Sequence, residues 1–211
     1  HGAVKSLLKA GKTVHPAVEQ GCMMCHAPHS SQNNRLLSSA MPGLCAQCHD
    51  PKNTKKIVHA PIMGGDCTSC HHPHQSPNKA MLKETMPALC FQCHPDSMMK
   101  QKFMHPPAAA GDCSACHDNH QSDFTNRLVL EGNALCFQCH PDKEEGLKTK
   151  KSTHYPVRQS CVQCHNPHGT ENPAMLTAPV PELCSTCHPD EVMARTRSLV
   201  KHGPMTDEKS C

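Results

Sequence analysis

One motif, two cysteines separated by two residues and followed directly by histidine, occurs eight times in this chain of 211 residues. Its spacing is that of a c-type haem attachment site, where the thiols bond to the porphyrin edge and the imidazole ligates the iron. The cysteines are Cys22, Cys25, Cys45, Cys48, Cys67, Cys70, Cys90, Cys93, Cys113, Cys116, Cys136, Cys139, Cys161, Cys164, Cys184 and Cys187. The histidines are His26, His49, His71, His94, His117, His140, His165 and His188. The sequence therefore predicts eight covalently bound haem c groups, each with an iron.

The eight motifs fall into four pairs, and each pair belongs to a longer repeat. The first cysteines of the two motifs in a pair are 23 residues apart in all four pairs, whereas the step between pairs drifts from 22 to 25 residues. Self-similarity of this kind is typical of repeat architectures. We number the repeats 1 to 4 and assign them residues 12–58, 59–104, 105–153 and 154–200, with an N-terminal segment 1–11 and a C-terminal stub 201–211.

The composition excludes an ordinary hydrophobic core. The chain has no Trp, one Tyr, four Phe and 19 Pro, and its hydrophobic residues include 17 cysteines. A Pro-rich chain with so few aromatic residues buries too little apolar surface to fold alone, but eight flat apolar porphyrins would supply the missing core. We therefore expect a mostly irregular chain with short α-helices, wrapped around a stacked row of haems, and little or no β structure.

Short helices are predicted where capping signals occur. A turn over residues 4–9 ends at Gly11, and a Pro/Asp pair after the second motif begins a helix in three repeats. Those three helices are predicted at residues 97–103, 143–148 and 191–200.

The charge and hydropathy exclude two classes of partner. The formal net charge is +3, but the propionates and irons of eight haems bring the holoprotein to about −5 when oxidised and about −13 when reduced. No apolar stretch approaches the roughly 18 residues of a membrane span. We therefore expect no nucleic-acid partner and no membrane span.

Zinc is the main alternative cofactor, because two C-x-x-C pairs nineteen residues apart also match a zinc ribbon. Four cysteines would complete such a site and leave no task for the histidine that ends every motif. A disulfide framework needs no histidine at all. Both alternatives are therefore set aside in favour of haem.

Eight further histidines stand in register and are predicted to be distal iron ligands. In each repeat an upstream histidine lies seven or eight residues before the first cysteine, and a downstream histidine lies seven residues after it. The upstream histidines are His15, His59, His105 and His154, and the downstream histidines are His29, His74, His120 and His168. His72 falls outside this register and is expected to face solvent, and the twelve Met are expected to pack around the haems.

Two arrangements of distal ligands remain open. An extended chain gains at most about 3.3–3.6 Å per residue, so His29 is too close to His26 to cross the same haem. In the first arrangement His29 therefore serves the second haem of its pair, and His15 serves the first. In the second arrangement the upstream histidines shift by one, so that His59 closes the second haem of repeat 1 and His202 closes the last.

The C-terminal stub resembles the start of another repeat. Cys211, the seventeenth cysteine, lies 27 residues after Cys184, and His202 precedes it by nine residues. A fifth pair of motifs beginning at Cys211 is one interpretation, and an incidental terminal cysteine is the other.

Residues 12–200 resemble the doubled C-x-x-C-H family of multihaem c-type cytochromes. The resemblance rests on units such as Cys161-Val-Gln-Cys-His165-Asn-Pro-His168, followed by Leu176 and by a second motif after Leu183. It implies electron transfer through closely stacked haems. It also implies export, because the haem-attachment machinery works outside the cytoplasmic membrane; an extracellular or cell-surface location is expected, with the periplasm as the alternative. The family includes periplasmic shuttles, haem conduits inside porins and subunits that resemble those of extracellular cytochrome filaments.

An enzyme is the rival class, since some octahaem proteins carry out redox reactions at an iron with an open distal face. Here every motif ends in histidine, and enough further histidines are present to close every iron. We therefore expect an electron carrier and not an enzyme. About 26 residues per haem and repeats that stack end to end favour a filament, in which His15 or His202 is expected to ligate a haem of the next copy. The expected partners are other copies of the chain, other redox proteins and extracellular electron acceptors.

Overall fold

A computed structural model describes residues 13–189 of the chain. The predicted helices at 4–9 and 191–200, together with His202 and Cys211, lie outside the described residues. Within them the chain is mostly irregular, with short α-helices, 3-10 turns and strands of two residues, so the predicted fold class is confirmed. The α-helices are Pro16–Gln20, Gly43–Ala46, Ala60–Met63, Ala88–Phe91, Pro106–Ala109, Asn133–Phe137, Pro141–Thr149, Tyr155–Gln159 and Val180–Ser185.

Four of these helices begin directly after an upstream histidine. His15, for example, has an extended backbone (φ −66°, ψ 127°) and is the N-cap of Pro16–Gln20. Proline occupies one of the first two helical positions in all four cases, where its missing N–H is not needed and its fixed φ suits the helix. The upstream histidine is therefore held where extended chain turns into helix.

The two motifs of a repeat lie on different local structures. Each first motif begins with a 3-10 turn, at Cys22–Met24, Cys67–Ser69, Cys113–Ala115 and Cys161–Gln163. The first cysteine of each second motif lies in a short α-helix, such as Gly43–Ala46. This agrees with the expectation that short helices carry several of the motifs.

The helices predicted after Pro/Asp pairs form only in part. The prediction at 143–148 is confirmed within the helix Pro141–Thr149, the longest in the described residues, where Lys148 and Glu144 form an exposed ion pair at 2.6 Å. The prediction at 97–103 is wrong in type and length. A 3-10 turn spans Asp96–Met99, and Phe103–Met104 is a strand instead, because its backbone pairs with another repeat.

Six strands form three antiparallel pairs, and each pair joins two successive repeats. The strand before an upstream histidine pairs with the strand after the downstream histidine of the next repeat. The pairs are β1 (Thr13–Val14) with β3 (Gln75–Ser76), β2 (Ile57–Val58) with β5 (Gln121–Ser122), and β4 (Phe103–Met104) with β6 (Gly169–Thr170). We call each pairing a joint.

The described residues form two compact units that exchange part of repeat 3. The first contains the described residues up to His94 together with Ser114–Val129, and the second contains Pro95–Cys113 and the described residues from Leu130 on. Ser114–Val129 belongs with the first unit because it carries β5, the partner of β2.

No hydrophobic side chain within residues 13–189 is fully buried. The buried side chains are polar, namely Ser76, Gln121 and Ser122, and they lie in the joints. Since apolar burial is the main favourable term in folding, this polypeptide by itself lacks the usual driving force. The observation fits a chain whose core is a cofactor.

Candidate functional site

The thiols of the eight motifs are available for covalent attachment. All sixteen motif cysteines are free, and each is exposed or half-buried. Within the first motif of repeat 1, the N–H of His26 donates to the carbonyl of Cys22 at 3.0 Å. The same bond recurs in other motifs, for example from His49 to Cys45, so a local turn places the histidine beside its two cysteines.

Each upstream histidine faces the second-motif histidine of its own repeat. The ring centres of His15 and His49 are 5.9 Å apart. The pairs His59–His94, His105–His140 and His154–His188 are 6.1, 6.2 and 6.1 Å apart. Both histidines of a second-motif site therefore come from one repeat.

Downstream histidines face a first-motif histidine of the preceding repeat. The ring centres of His26 and His74 are 6.0 Å apart, and those of His71 and His120 are also 6.0 Å apart. Such a site is shared by two repeats and lies beside their joint. His29 and His165, at the two ends of this register, face no other histidine ring within residues 13–189.

The spacing of these pairs fits one metal ion between two imidazoles. Two metal–nitrogen bonds of about 2.0 Å separate the nitrogens by about 4 Å, and the ring centres, each about 1 Å further back, by about 6 Å. The six measured separations span only 5.9–6.2 Å.

The pairing follows neither arrangement that the sequence left open. His15 faces the second-motif histidine His49, not the first-motif histidine His26, so the first arrangement is wrong. His59 faces His94 in its own repeat, so the shift by one is also wrong. The missing information was that a downstream histidine reaches back to the preceding repeat, which depends on strand pairing and not on sequence distance.

A backbone carbonyl fixes the ring of each first-motif histidine. Nδ1 of His26, His71, His117 and His165 lies 2.8–2.9 Å from the carbonyl oxygen of the residue nine positions later. The carbonyl can only accept, so Nδ1 carries the proton and Nε2 is left to bind a metal. The upstream histidine His59 makes a similar contact with Asn119 at 3.1 Å.

The residues that provide these carbonyls have an unfavourable backbone conformation. Each belongs to a tight turn whose two central residues have positive φ, as in a type I′ turn. They are Arg35–Leu36, Ala80–Met81, Asn126–Arg127 and Ala174–Met175, with φ between 53° and 58°. A non-glycine residue in this region costs roughly 1–2 kcal/mol. Such strain at four equivalent positions indicates a functional constraint, here the aiming of a carbonyl at a ligand.

A hydroxyl residue supports each turn, and sequence reasoning missed it. Ser76 donates through Oγ to the carbonyl of Leu82 and accepts from the N–H of Asn78 at 2.9 Å. Ser31 and Ser122 make the same two bonds, and Thr170 also accepts from the residue two positions on. The available signal was a Ser or Thr two residues beyond every downstream histidine.

The repeated leucines also have a structural role in these turns. Residues His26, His71, His117 and His165 form isolated antiparallel bridges with Leu37, Leu82, Leu128 and Leu176. In repeat 2 the bridge is flanked by bonds from His72 N to Met81 O at 2.7 Å and from Lys83 N to Cys70 O at 2.9 Å. The turn is thereby fastened to the motif that it supports. His72 itself is exposed, as predicted.

Partial burial keeps several distal histidines neutral. It lowers the pKa of His15, His59, His74 and His120, and nearby positive charge lowers it further, from His49 for His15 and from His26 for His74. Neutral imidazole is the form that ligates a metal. These side chains are therefore in the ligating state at neutral pH.

Thiols of successive motifs approach one another. Burial raises the pKa of the Cys45 thiol, and the adjacent Cys67 thiol, with which it shares a hydrogen bond, raises it further. Burial and then the Cys136 thiol raise the pKa of Cys161 in the same way. In both cases a second motif meets the first motif of the next repeat, so porphyrin edges bonded to these cysteines would be neighbours.

The residues fit haem better than zinc. No group of three or more His, Cys, Asp or Glu side chains suited to a metal ion occurs in the described part of the chain, whereas protein zinc sites use three or four such ligands. A pair of imidazoles is sufficient only where a macrocycle fills the other positions around the metal. The motif cysteines would hold that macrocycle and the paired histidines its iron.

Comparison with known proteins agrees with this site. No helix in residues 13–189 is long and apolar enough to cross a bilayer. Comparison with curated proteins gives no significant match. The family model described as "Doubled CXXCH motif" matches residues 15–54, 59–99, 105–145 and 154–193, which together make up well over half of the chain. The chain therefore belongs to the doubled CXXCH motif family of multihaem c-type cytochromes.

Proposed function

We propose that this chain is an electron-transfer cytochrome whose copies join head to tail in an extracellular filament. Its electron-transfer role follows from its family and its eight C-x-x-C-H motifs. The bound haems, about eight in number, supply the reversible one-electron chemistry. Assembly and location are the parts that go beyond the family.

The observation that supports a filament is the recurrence of one joint along the chain. At each joint the N–H of an upstream histidine donates to the carbonyl of the next repeat's downstream histidine. The bonds run from His15 to His74 at 2.9 Å, from His59 to His120 at 2.9 Å and from His105 to His168 at 3.2 Å. A contact that repeats without closing on itself gives an open linear array.

The chain's own residues hold and orient the haems in this proposal. Second-motif irons are closed within one repeat, and first-motif irons are closed by the following repeat, as the pairs His15–His49 and His26–His74 illustrate. The turn carbonyls fix the Nε2 atoms toward the metal. Close thiols such as Cys45 and Cys67 keep adjacent cofactors near one another, which suits electron transfer along a row.

The proposed ligand set predicts bis-His, low-spin haems with potentials mostly below zero, because no Met thioether is present to raise the potential. Mass spectrometry should find eight covalent haems, and near-infrared magnetic circular dichroism should show bis-His bands. A strong His–Met band in the unmodified protein would contradict the ligand set.

A redox enzyme is the competing function, and carbon monoxide distinguishes the two. An enzyme needs one iron with an open distal face in the native assembly, so its reduced form would show a full spectral shift for one haem. We expect no such shift. A bound haem that reacts with carbon monoxide in the intact assembly would favour an enzyme.

Electron microscopy of the purified native protein tests the filament directly. Fibres with a regular repeat are expected. A monodisperse monomer would overturn the filament and favour a periplasmic shuttle, and particles that require a porin partner would favour a conduit. Export and an extracellular location are part of the same proposal, and cell fractionation with staining for haem tests them.

A further inference from the structure

Two segments of the chain match the two sides of a joint but have no strand partner within residues 13–189. Residues 29–32, the downstream edge, correspond to the segment of repeat 2 that contains β3. Residues 151–154, the upstream edge, correspond to the segment of repeat 1 that contains β1. Neither edge is assigned to a strand, whereas all three equivalent segments on each side are paired.

Exposure separates these edges from their paired equivalents. His29 and Ser30 are exposed, whereas the equivalent His74 and Gln75 are half-buried. In the joints, Ser76 and Ser122 retain only 1% and 3% of their accessible surface. The edge at residues 29–32 thus lacks the cover that a neighbouring repeat provides elsewhere.

The upstream edge shows the same difference. His154 is exposed, whereas His15, His59 and His105 are half-buried. The residue that follows it, Tyr155, is the only tyrosine of the chain and is 71% exposed. A large exposed aromatic side chain beside an open strand is typical of a protein contact.

One histidine and one metal site correspond across the two edges. His29 is a downstream histidine, but no first-motif histidine faces it within residues 13–189. His165 is a first-motif histidine, exposed where His26 and His71 are half-buried, and no downstream histidine faces it there. Its Nδ1 is nevertheless fixed by the carbonyl of Ala174 at 2.9 Å, so it is oriented as a ligand like the others.

The polar contacts of a joint can also form between the two edges. A backbone N–H three residues before the upstream histidine donates to the side chain three residues after the downstream histidine. Lys56 donates to Asp123 at 3.4 Å, and Lys102 donates to Glu171 at 3.2 Å. The corresponding residues of the edges are Lys151 and Gln32, and the amide oxygen of glutamine is also an acceptor.

We infer that residues 151–154 of one copy and residues 29–32 of the next form a fourth joint, in which His29 becomes the distal ligand of the iron held at His165. The inference rests on the proposed filament and names the residues of its contact. The N–H of His154 would donate to the carbonyl of His29, as in the three joints within the chain. A metal–imidazole bond and a short strand pair would together fix the position of one copy on another.

This contact corrects the residues first expected to cross between copies. His15 is occupied within repeat 1, opposite His49. His202 lies outside the described residues. The histidine that the register leaves for the neighbouring copy is His29.

The decisive experiment replaces His29 in the holoprotein. His29→Ala should abolish fibres and leave one haem per subunit that reacts with carbonyl monoxide's reduced-haem probe, carbon monoxide gas. Adding Cys161→Ala and Cys164→Ala to that variant should remove the reactive haem, which assigns it to His165. His72→Ala, which changes an exposed histidine outside the register, should leave both fibres and spectrum unchanged.

His29→Met supplies a positive signature. A thioether can replace the imidazole, so this variant should keep fibres and gain one His–Met band per subunit in magnetic circular dichroism. Absence of that band from intact His29→Met fibres would overturn the assignment.

The outcomes separate this inference from the filament itself. If the native protein forms fibres and His29→Ala forms the same fibres with no reactive haem, the inference fails and the filament stands. If the native protein is monomeric by sedimentation, both fail. If His29→Ala frees one iron in a native protein that is already monomeric, His29 ligates within one copy and the contact between copies is refuted.

Discussion

First-motif and second-motif sites differ in where their second histidine comes from. A second-motif site such as His15–His49 takes both rings from one repeat, whereas a first-motif site such as His26–His74 takes them from two. The two kinds of site have the same ring separation, so their local chemistry is alike. The difference teaches that half of the sites build the repeat and the other half link repeats into an array.

The linking sites also have the more elaborate support. A strained turn aims a carbonyl at each first-motif histidine, a serine or threonine holds the turn, and a strand pair lies beside the shared site. This support is consistent with the need to keep two repeats in a fixed relation. Four changes test the comparison, in order of decreasing effect.

The largest effect is expected from removing a distal ligand at each kind of site. His74→Ala and His59→Ala should each leave one haem open to carbon monoxide. Only His74→Ala should loosen the joint of β1 and β3, with about tenfold faster amide exchange at Thr13–Val14, equivalent to about 1.4 kcal/mol. His72→Ala is the matched control. Equal exchange in the His74 and His59 variants would remove the distinction between linking and internal sites.

The next effect concerns the serine that supports the turn. Ser76→Ala should lower the stability of the holoprotein by about 1–2 kcal/mol, because the N–H of Asn78 and the carbonyl of Leu82 lose a buried partner. Ser31→Ala, at the open edge, should cost less in the isolated subunit because water can replace the hydroxyl there. Thermal unfolding of both variants measures the difference, and a larger loss for Ser31→Ala would contradict it.

A smaller effect of opposite sign is expected at the strained turn itself. Ala80→Gly should raise stability by about 0.5 kcal/mol, since relief of a positive φ outweighs the added freedom of the unfolded chain. Ala88→Gly, within the helix Ala88–Phe91, should lower stability by about 0.5–1 kcal/mol. Parallel thermal melts are the measurement. Two changes of the same sign would show that the turn is not strained.

The smallest effect is expected at Asp118, which positions His120. Its carboxylate accepts from the N–H of His120 at 2.8 Å and of Gln121 at 3.1 Å. Burial raises the pKa of Asp118, but these bonds, together with nearby His120 and Lys55, lower it on balance. The stabilisation is therefore present at neutral pH and is lost as the pH falls through this lowered pKa.

Substitutions at Asp118 separate its charge from its hydrogen bonds. Asp118→Asn should change stability by less than about 0.5 kcal/mol at neutral pH and should remove the acid-dependent part, since the equivalent Asn166 already accepts from the N–H of His168. Asp118→Ala should cost about 1 kcal/mol. Unchanged acid dependence in the Asn variant would exclude this role.

Much of the candidate site could be predicted from local sequence. The motif spacing identified the cysteines and the adjoining histidines, because covalent attachment requires these groups within a few residues. The register also selected His15, His59, His74 and His120, whose rings face motif histidines. The turn carbonyls were not predictable, since residues such as Ala80 act through the backbone and their side chains carry no signal.

The sequence by itself determined the kind of cofactor, the fourfold repeat and the absence of an ordinary core, because each depends on residue type and spacing along the chain. Only the tertiary structure decided which histidine faces which motif. His15 and His74 lie at similar distances in sequence from several candidate irons, and the antiparallel pairing of Thr13–Val14 with Gln75–Ser76 selects among them. That selection is a contact between repeats, and backbone pairing between distant segments leaves no periodic pattern in strands of only two residues.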